Sequence, residues 1–187
     1  MDERKLEEML AEYARLEDSF LDLTQYVPLV AELHDPRYQI ASPRAGEFGL
    51  DCCTWIETIF QELLRDPRWD NLEGIDDARK SSSVSMETYR RVFGAKLGFD
   101  RAGYPLKWLD TPVVRPFETW ASDENPEWFK VYSKYKHDRF ELANRFTLGH
   151  ALMAFTALAI LVNHWPGYDP GLRSPTKRPP SRVLKRI

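Results

Sequence analysis

The sequence has little cysteine, no long apolar run and only a small net charge, and each of these absences excludes a class of protein. Its only two cysteines, Cys52 and Cys53, are adjacent in an apolar helical pattern. Neighbouring residues of a helix point in different directions and rarely form a disulfide, so we expect two reduced, packed thiols in a cytoplasmic protein. The net charge of −3 excludes binding of nucleic acid through overall charge, so any anion site must be a local patch.

The sequence also lacks the patterns of membrane proteins and of metal or cofactor sites. Its most apolar run, ALMAFTALAILV at residues 151–162, falls short of the roughly 18 to 20 apolar residues that a membrane span needs, and it predicts a buried helix instead. The charged N-terminus MDERKLEEML has no apolar signal segment. HExxH, CxxC, GxSxG and glycine-rich phosphate-loop motifs are all absent. We therefore expect no membrane contact, no metal and no cofactor.

What the sequence does contain is helical periodicity. From Met9 to Val27 apolar residues recur at spacings of four and three, which predicts a long first helix that packs along another helix. Its other faces are charged, so this stripe suits either a bundle helix or the seam of a dimer. Further helices are predicted at about 43–64, 85–94, 126–138 and 144–165.

Three stretches lack a lasting apolar period. Residues 65–83 carry turn and breaker residues and are predicted to be a loop, whereas residues 95–125 combine prolines with aromatic rings and are predicted to be an irregular insertion pinned to the bundle. The proline-rich, basic tail at 166–187 is predicted to be disordered. The expected fold is therefore all-α, a bundle of four to five main helices in one domain at 1–165.

The stretch WFKVYSKYKHDRF at residues 128–140 places positive charge directly before the most apolar helix. His137 falls at a predicted turn between Lys136 and Arg139, with Asp138 beside it. Histidine exchanges a proton near neutral pH, and lysine and arginine bind phosphate and stabilise charge on its oxygens. These three residues are the candidate catalytic group. The alternative is ordinary capping of a helix C-terminus by basic side chains.

Aromatic and basic residues of the same stretch also suit single-stranded RNA, because bases stack on rings while phosphates meet lysines. We therefore take Tyr132, Lys134 and Lys130 as candidate RNA-binding residues. The same composition equally suits a protein interface rich in tryptophan and arginine.

This stretch resembles a group of uncharacterised bacterial proteins with the motif W-x3-YN-x2-KH-x-R, which belongs to the HEPN superfamily of small helical-bundle proteins. Ser133 stands where asparagine is usual. The upstream segments DCCTWIETIFQEL, METYRRVF and RPFETW also resemble family segments, with Glu57 at a glutamate position, so the resemblance covers roughly residues 45–162. The motif positions are occupied by Trp128, Tyr132, Lys136, His137 and Arg139.

The resemblance implies a helical fold and, as in many HEPN proteins, metal-independent RNA cleavage by a dimer whose two copies share one cleft. Those enzymes use an R-x4-6-H motif with a polar residue after the arginine. No arginine precedes His137 at that spacing. Arg145 and His150 do have the spacing, but Phe146 follows the arginine, and we interpret this pair as a chance match.

Two functions from different classes follow from these patterns. The first is an RNA-directed effector of the toxin or antiviral-defence kind, a ribonuclease that uses His137 with Lys136 and Arg139 on the phosphate. The alternative is a non-catalytic subunit that binds RNA, a nucleotide or a partner protein encoded in the same operon. The stripe of the first helix and the two-copy sites of the superfamily both predict a homodimer. We also expect the three candidate catalytic residues to line one accessible pocket, with Asp138 or Glu57 as their carboxylate partner.

Overall fold

The chain folds from helices throughout the part that the structure describes. The structure is a computed structural model, and it describes residues 3–30, 32–107, 113–165 and 181–184. These residues form seven α-helices and no β-strand, which confirms the predicted all-α class. The helices are α1 (Glu3–Thr24), α2 (Pro43–Arg65), α3 (Ile75–Lys80), α4 (Met86–Leu97), α5 (Glu127–Tyr135), α6 (Arg139–Arg145) and α7 (Leu148–Val162).

The core is built around α7, as its apolar sequence predicts. All its residues from Ala151 to Val162 are buried except the half-buried Met153. A helix that is apolar on every side must be enclosed, and here α1, α2 and α5 pack against it. The Phe155 ring is 0% exposed and lies between two rings of α1, 5.4 Å from Tyr13 and 5.3 Å from Phe20. Within the described residues, no helix combines the length and apolarity of a membrane span.

The apolar stripe of α1 packs against the core of the same chain. Met9, Tyr13, Leu16, Phe20 and Leu23 are all buried, while Val27 lies beyond the end of the helix and is half-buried. The prediction of a bundle helix is therefore confirmed. Because the stripe already packs on the chain's own core, it gives no support to a dimer seam, and the homodimer remains a prediction.

The boundaries of two helices near the C-terminal end of the bundle differ from the prediction. A single helix was expected from about Asn144, but residues 139–145 form the separate helix α6, and α7 begins only at Leu148. Thr147 is the reason, because it caps α7. Its side-chain oxygen accepts from the His150 backbone N–H at 3.2 Å, and the His150 ring nitrogen Nδ1 accepts from the Thr147 N–H at 3.2 Å. This reciprocal cap fixes a break that apolar spacing alone does not reveal.

Two further expectations need correction in the middle of the chain. The stretch 65–83 is not a plain loop, because it holds a short 3-10 helix at Pro67–Trp69 and the helix α3. Helix α4 continues past Gly94 to Leu97 and is capped by Gly98, whose φ of 69° is the left-handed conformation that glycine adopts most readily. Gly94 instead makes room for a ring, since a Cβ there would lie 3.2 Å from Trp120.

Between α4 and α5 the described residues form only a short 3-10 helix, Glu118–Ser122. Three rings of this segment pack around Phe60 of α2 at centroid distances of 6.1 to 6.3 Å. Phe99 and Phe117 meet it edge-on, and Trp120 meets it at a tilt. The segment is therefore held on the bundle by its aromatic side chains.

Most of the predicted disordered tail lies outside the described residues. Residues 181–184 are described, and Ser181, Val183 and Leu184 are buried against the bundle. The Glu17 carboxylate of α1 accepts hydrogen bonds from Ser181, Arg182 and Val183, and disorder of the rest of the tail remains a prediction.

A pair of phenylalanine substitutions tests the buried core. Phe155→Ala should lower the free energy of unfolding by about 3 to 5 kcal/mol, because it leaves a cavity among stacked rings. Phe140→Ala is the matched control, since Phe140 is 75% exposed and its loss should change stability by about 0.5 kcal/mol or less. Urea denaturation followed by circular dichroism measures both. Equal losses for the two variants would contradict the placement of α7 at the centre.

Candidate functional site

The candidate site is the turn between α5 and α6, which we call the KHDRF turn (residues 136–140). Helix α5 ends at Tyr135, whose carbonyl accepts from the Asp138 N–H at 2.8 Å. Asp138 then begins α6, because its carboxylate accepts from the Glu141 N–H at 3.1 Å. Asp138 thus closes the turn through hydrogen bonds with Tyr135 on one side and Glu141 on the other. The predicted break near Asp138 is confirmed, and the carboxylate of Asp138 serves as a helix cap.

Helix α6 is held unusually close to α2. A Cβ on Gly46 would lie 3.0 Å from the Cα of Ala143, and a Cβ on Gly49 would lie 2.3 Å from the Phe146 ring. A side chain at either position would require the backbone of α6 or the Phe146 ring to shift. This close contact fixes one side of the KHDRF turn.

Helix α5 fixes the other side. Trp128 is buried, and its indole N–H donates to the Pro116 carbonyl at 2.9 Å. Phe129 and Tyr132 are buried on the same face, whereas Val131 and Tyr135 are only half-buried. The buried face of α5 is therefore formed by Trp128, Phe129 and Tyr132. Tyr132 lies on the buried face and Lys136 follows it one turn later, at the edge of that face.

The three candidate catalytic residues point to different surroundings. Lys136 is half-buried, and its Nζ lies 3.9 Å from a carboxylate oxygen of Glu57 and 5.8 Å from the Tyr132 ring centroid. His137 and Arg139 are exposed, and no described residue forms a hydrogen bond or ion pair with either side chain. Glu57, rather than Asp138, is thus the carboxylate partner in the cluster.

Lys136 lines a cleft of about 720 Å³ together with Glu57, Gln61, Arg65 and Tyr89. His137 and Arg139 are not part of its lining, so the three candidates do not share this cleft. We call it the Glu57 cleft. The cationic side chains around this cleft differ in how closely they are already paired with carboxylates.

Arg79, at the edge of the Glu57 cleft, is already paired with Asp70 at 2.7 Å and also donates to the Asp66 carbonyl at 3.1 Å. Arg65 is paired with Glu62 at 2.7 Å. The pair between Lys136 and Glu57 is longer and weaker than either. Lys136 is therefore the cation of the cleft that an incoming anion can take over most easily.

Two tyrosines flank the carboxylate of Glu57. Burial raises the pKa of Tyr89 to about 12, and the negative charge of Glu57 adds to that effect. Burial also raises the pKa of Tyr132, again with a further contribution from Glu57. Both hydroxyl groups therefore stay protonated at neutral pH.

The candidate RNA-binding residues divide into one buried and two exposed side chains. Tyr132 is 3% exposed, and its ring packs 5.6 Å from that of Phe129, which leaves no face for a base. Lys134 is exposed, with its Nζ 5.1 Å from the Tyr135 ring centroid. Lys130 is exposed and lies 3.7 Å from Glu124 and so is partly neutralised.

The residue that sequence reasoning missed is Phe140. It lies in the first turn of α6, directly after Arg139, and its side chain is 75% exposed. The signal was present in RFELANRF, because Leu142 and Phe146 are spaced by four and take the buried side of the helix. Phe140 is two residues before Leu142 and so must point about 160° away from it.

The R-x4-H pair does not form a common site. Arg145 is exposed, lies 4.0 Å from Glu141 and lines a groove with Lys130 and Lys134. His150 lines a different groove, beside Tyr38 and Trp128. Burial lowers the pKa of His150, so its ring is neutral at neutral pH.

Comparison of the chain with protein-family models, with curated proteins and with solved structures found no match. Among the residues that the structure describes, no three histidine, cysteine, aspartate or glutamate side chains are grouped to hold a metal ion. Cys52 and Cys53 are both free and buried, and burial raises the pKa of each thiol. Neither thiol is placed to act as a nucleophile or a ligand. The chemistry available at the KHDRF turn is therefore that of an exposed ring, an imidazole and two cations.

Proposed function

We propose that the protein binds single-stranded RNA through the KHDRF turn and the neighbouring Glu57 cleft. The observation that supports this most is the exposed ring of Phe140 beside Arg139 and His137. A nucleotide combines a base, whose face stacks on aromatic rings, with a charged phosphate, so a binding site for single-stranded RNA combines exposed rings with cations. The KHDRF turn has an exposed ring at Phe140 and an exposed cation at Arg139, the residue before it.

Lys136 supplies the second contact of the proposal. Its ammonium group is 3.9 Å from Glu57, beyond the distance of a strong hydrogen bond. A phosphate oxygen can therefore draw this ammonium group away at little cost in free energy. We assign Phe140 to a base, and Lys136, Lys134 and Arg139 to the backbone phosphates.

The proposal extends to the HEPN-like character of the fold. Glu57 and Lys136 belong to two segments that resemble the HEPN group at positions far apart in the sequence, and their side chains meet in the structure. Trp128 and Tyr132, at two other motif positions, are buried on α5, and the Tyr132 ring centroid lies 5.8 Å from the Lys136 Nζ. This meeting of the motif residues supports a HEPN-like bundle. In a symmetric dimer of the HEPN type, two KHDRF turns would form one basic cleft.

RNA cleavage at His137 is a second candidate function, and the free imidazole favours it. No described residue holds the His137 side chain, so it can accept or donate a proton close to a phosphate bound by Lys136 and Arg139. Asp138 caps α6 and is not free to orient the ring. A toxin-like or defence-type ribonuclease needs an oriented imidazole, whereas RNA binding does not. We therefore propose binding without cleavage first.

A set of aromatic substitutions tests RNA binding. Phe140→Leu should weaken binding of a fluorescent single-stranded RNA about tenfold, because it removes a stacking ring but keeps apolar bulk. Phe140→Trp should retain the affinity. The matched control is Tyr26→Leu, since Tyr26 is 70% exposed but belongs to the segment after α1. Fluorescence anisotropy measures the dissociation constant of each variant.

Lys136→Gln adds a salt series to this test. The slope of log Kd against log salt should fall by about 0.7, the contribution of one phosphate contact to single-stranded nucleic acid. Equal affinity of wild type and Phe140→Leu would refute the KHDRF turn as the contact. So would an equal loss in Phe140→Leu and Tyr26→Leu.

His137→Ala tests the second candidate. If the protein cleaves RNA, cleavage should continue in the presence of EDTA and disappear in this variant, while the melting temperature stays unchanged because His137 is exposed. His34→Ala removes another exposed histidine and should keep full activity. RNA that stays intact with the wild type, or is cut equally by both variants, excludes catalysis at His137. Gel electrophoresis of a labelled RNA gives the readout.

A further inference from the structure

A carboxylate on α1 is buried in contact with the far end of the chain. Glu17 is 3% exposed, and its oxygen Oε1 accepts from the Ser181 hydroxyl, from the Arg182 N–H at 2.9 Å and from the Val183 N–H at 3.4 Å. The Arg182 side chain lies 3.5 Å from the other oxygen and also pairs with Asp18. One buried carboxylate thus gathers donors from three successive residues.

The opposite side of the same segment is bound by backbone contacts. The Val183 carbonyl accepts from the Lys107 N–H at 2.8 Å, and Leu184 forms an antiparallel bridge with Leu106. The Lys107 ammonium also donates to the Ser181 carbonyl at 3.4 Å. The segment therefore lies in a groove, which we call the Glu17 groove, between α1 and Leu106–Lys107.

Side chains give this binding its selectivity. Val183 and Leu184 are buried, and so is Leu106 on the wall of the groove. The Ser181 hydroxyl donates to Glu17 and accepts from the Leu184 N–H at 2.9 Å, so it joins the carboxylate to the backbone. The chemistry that fits is a hydroxyl residue, an arginine and two aliphatic residues in succession.

Every one of these contacts belongs to four consecutive residues. Fifteen residues, 166–180, separate Ser181 from Trp165, and a chain of that length reaches up to about 50 Å. The contacts of Ser181–Leu184 described above are made with α1 and with Leu106–Lys107, and none of them involves α7. The same hydrogen bonds and the same aliphatic contacts are open to a peptide from another chain.

We propose that the Glu17 groove is a peptide-recognition site, and that the chain's own Ser181–Leu184 is its displaceable occupant. The partner is an extended peptide with the order hydroxyl, arginine, aliphatic, aliphatic. It takes the place of the chain's own segment by pairing with the backbone of Leu106–Lys107 and by donating to Glu17. Strand-like pairing to an exposed backbone, combined with pockets for particular side chains, is a common mode of peptide binding. This inference is independent of RNA binding.

The test uses full-length proteins and a fluorescent peptide of residues 176–187, TKRPPSRVLKRI. Val183→Asp in the protein places a charge in a buried position and should release the chain's own segment. This variant should bind the peptide at least about tenfold more tightly than the wild type does. Adding Glu17→Gln to it should weaken binding at least about tenfold, because an amide cannot replace both acceptor oxygens.

A peptide that carries Val183→Asp is the control for simple attraction between a basic peptide and an acidic protein. It should bind to none of the three proteins. A second protein variant, Ser181→Ala with Arg182→Ala, should also empty the groove, because it removes the two side chains that contact Glu17. It places no charge in a buried position and so provides the same test if the first variant misfolds. Circular dichroism checks the fold of each protein. Failure of both emptied variants to bind the peptide, or equal binding of both peptides, would overturn the proposal.

Discussion

Helix α7 has no side that tolerates water, and its enclosure organises the other helices. Its one buried polar side chain in the central stretch, Thr156, is satisfied within the helix, since the hydroxyl donates to the Leu152 carbonyl at 2.8 Å. Helices α1 and α2 cover α7 along its length, and α5 covers part of the remainder. The segment that precedes α7 must therefore fold back over it, and the link between α5 and α6 lies at the surface. The position of the KHDRF turn is thus a consequence of what α7 requires.

The contact between α2 and α6 makes this turn a defined surface. Gly46 and Gly49 let Ala143 and Phe146 approach α2 closely, since a Cβ at these positions would lie 3.0 Å and 2.3 Å from them. Leu142 occupies the buried side of α6. Phe140 is then directed away from the core by the geometry of the helix, next to Arg139 at the start of α6. An exposed ring in that setting costs some free energy of hydration, which is offset if the ring contacts a base.

Several features could be predicted from the sequence because they depend on local periodicity. The stripe of α1, the buried run of α7 and the break near Asp138 each follow from the spacing of a few residues. Glu57 was one of two carboxylates expected beside the basic cluster, the other being Asp138, and it lies 3.9 Å from Lys136. Short helices were harder to predict, since α3 and α6 are too brief to show a full apolar period.

Other features depend on contacts between residues far apart in the chain. Tyr132 was chosen as a base contact from its type and motif position, but packing with Phe129 turned it inward. The docking of Ser181 on Glu17 joins residues 164 positions apart, and nothing near either residue signals it. The spacing of Leu142 and Phe146 predicts an exposed Phe140, but only if residues 139–145 are treated as a helix separate from α7.

Photo-cross-linking of a 4-thiouridine-labelled single-stranded RNA to the full-length protein, mapped after trypsin digestion, tests the central claim most directly. Trypsin cuts after Arg139 and Arg145, so Phe140 lies in the peptide FELANR. We expect the main cross-link on this peptide and on the preceding tryptic peptide HDR, which contains His137. Excess unlabelled RNA should remove the cross-link. Cross-links confined to the basic tail at 166–187, with FELANR unmodified, would contradict the assignment of the KHDRF turn as the RNA contact.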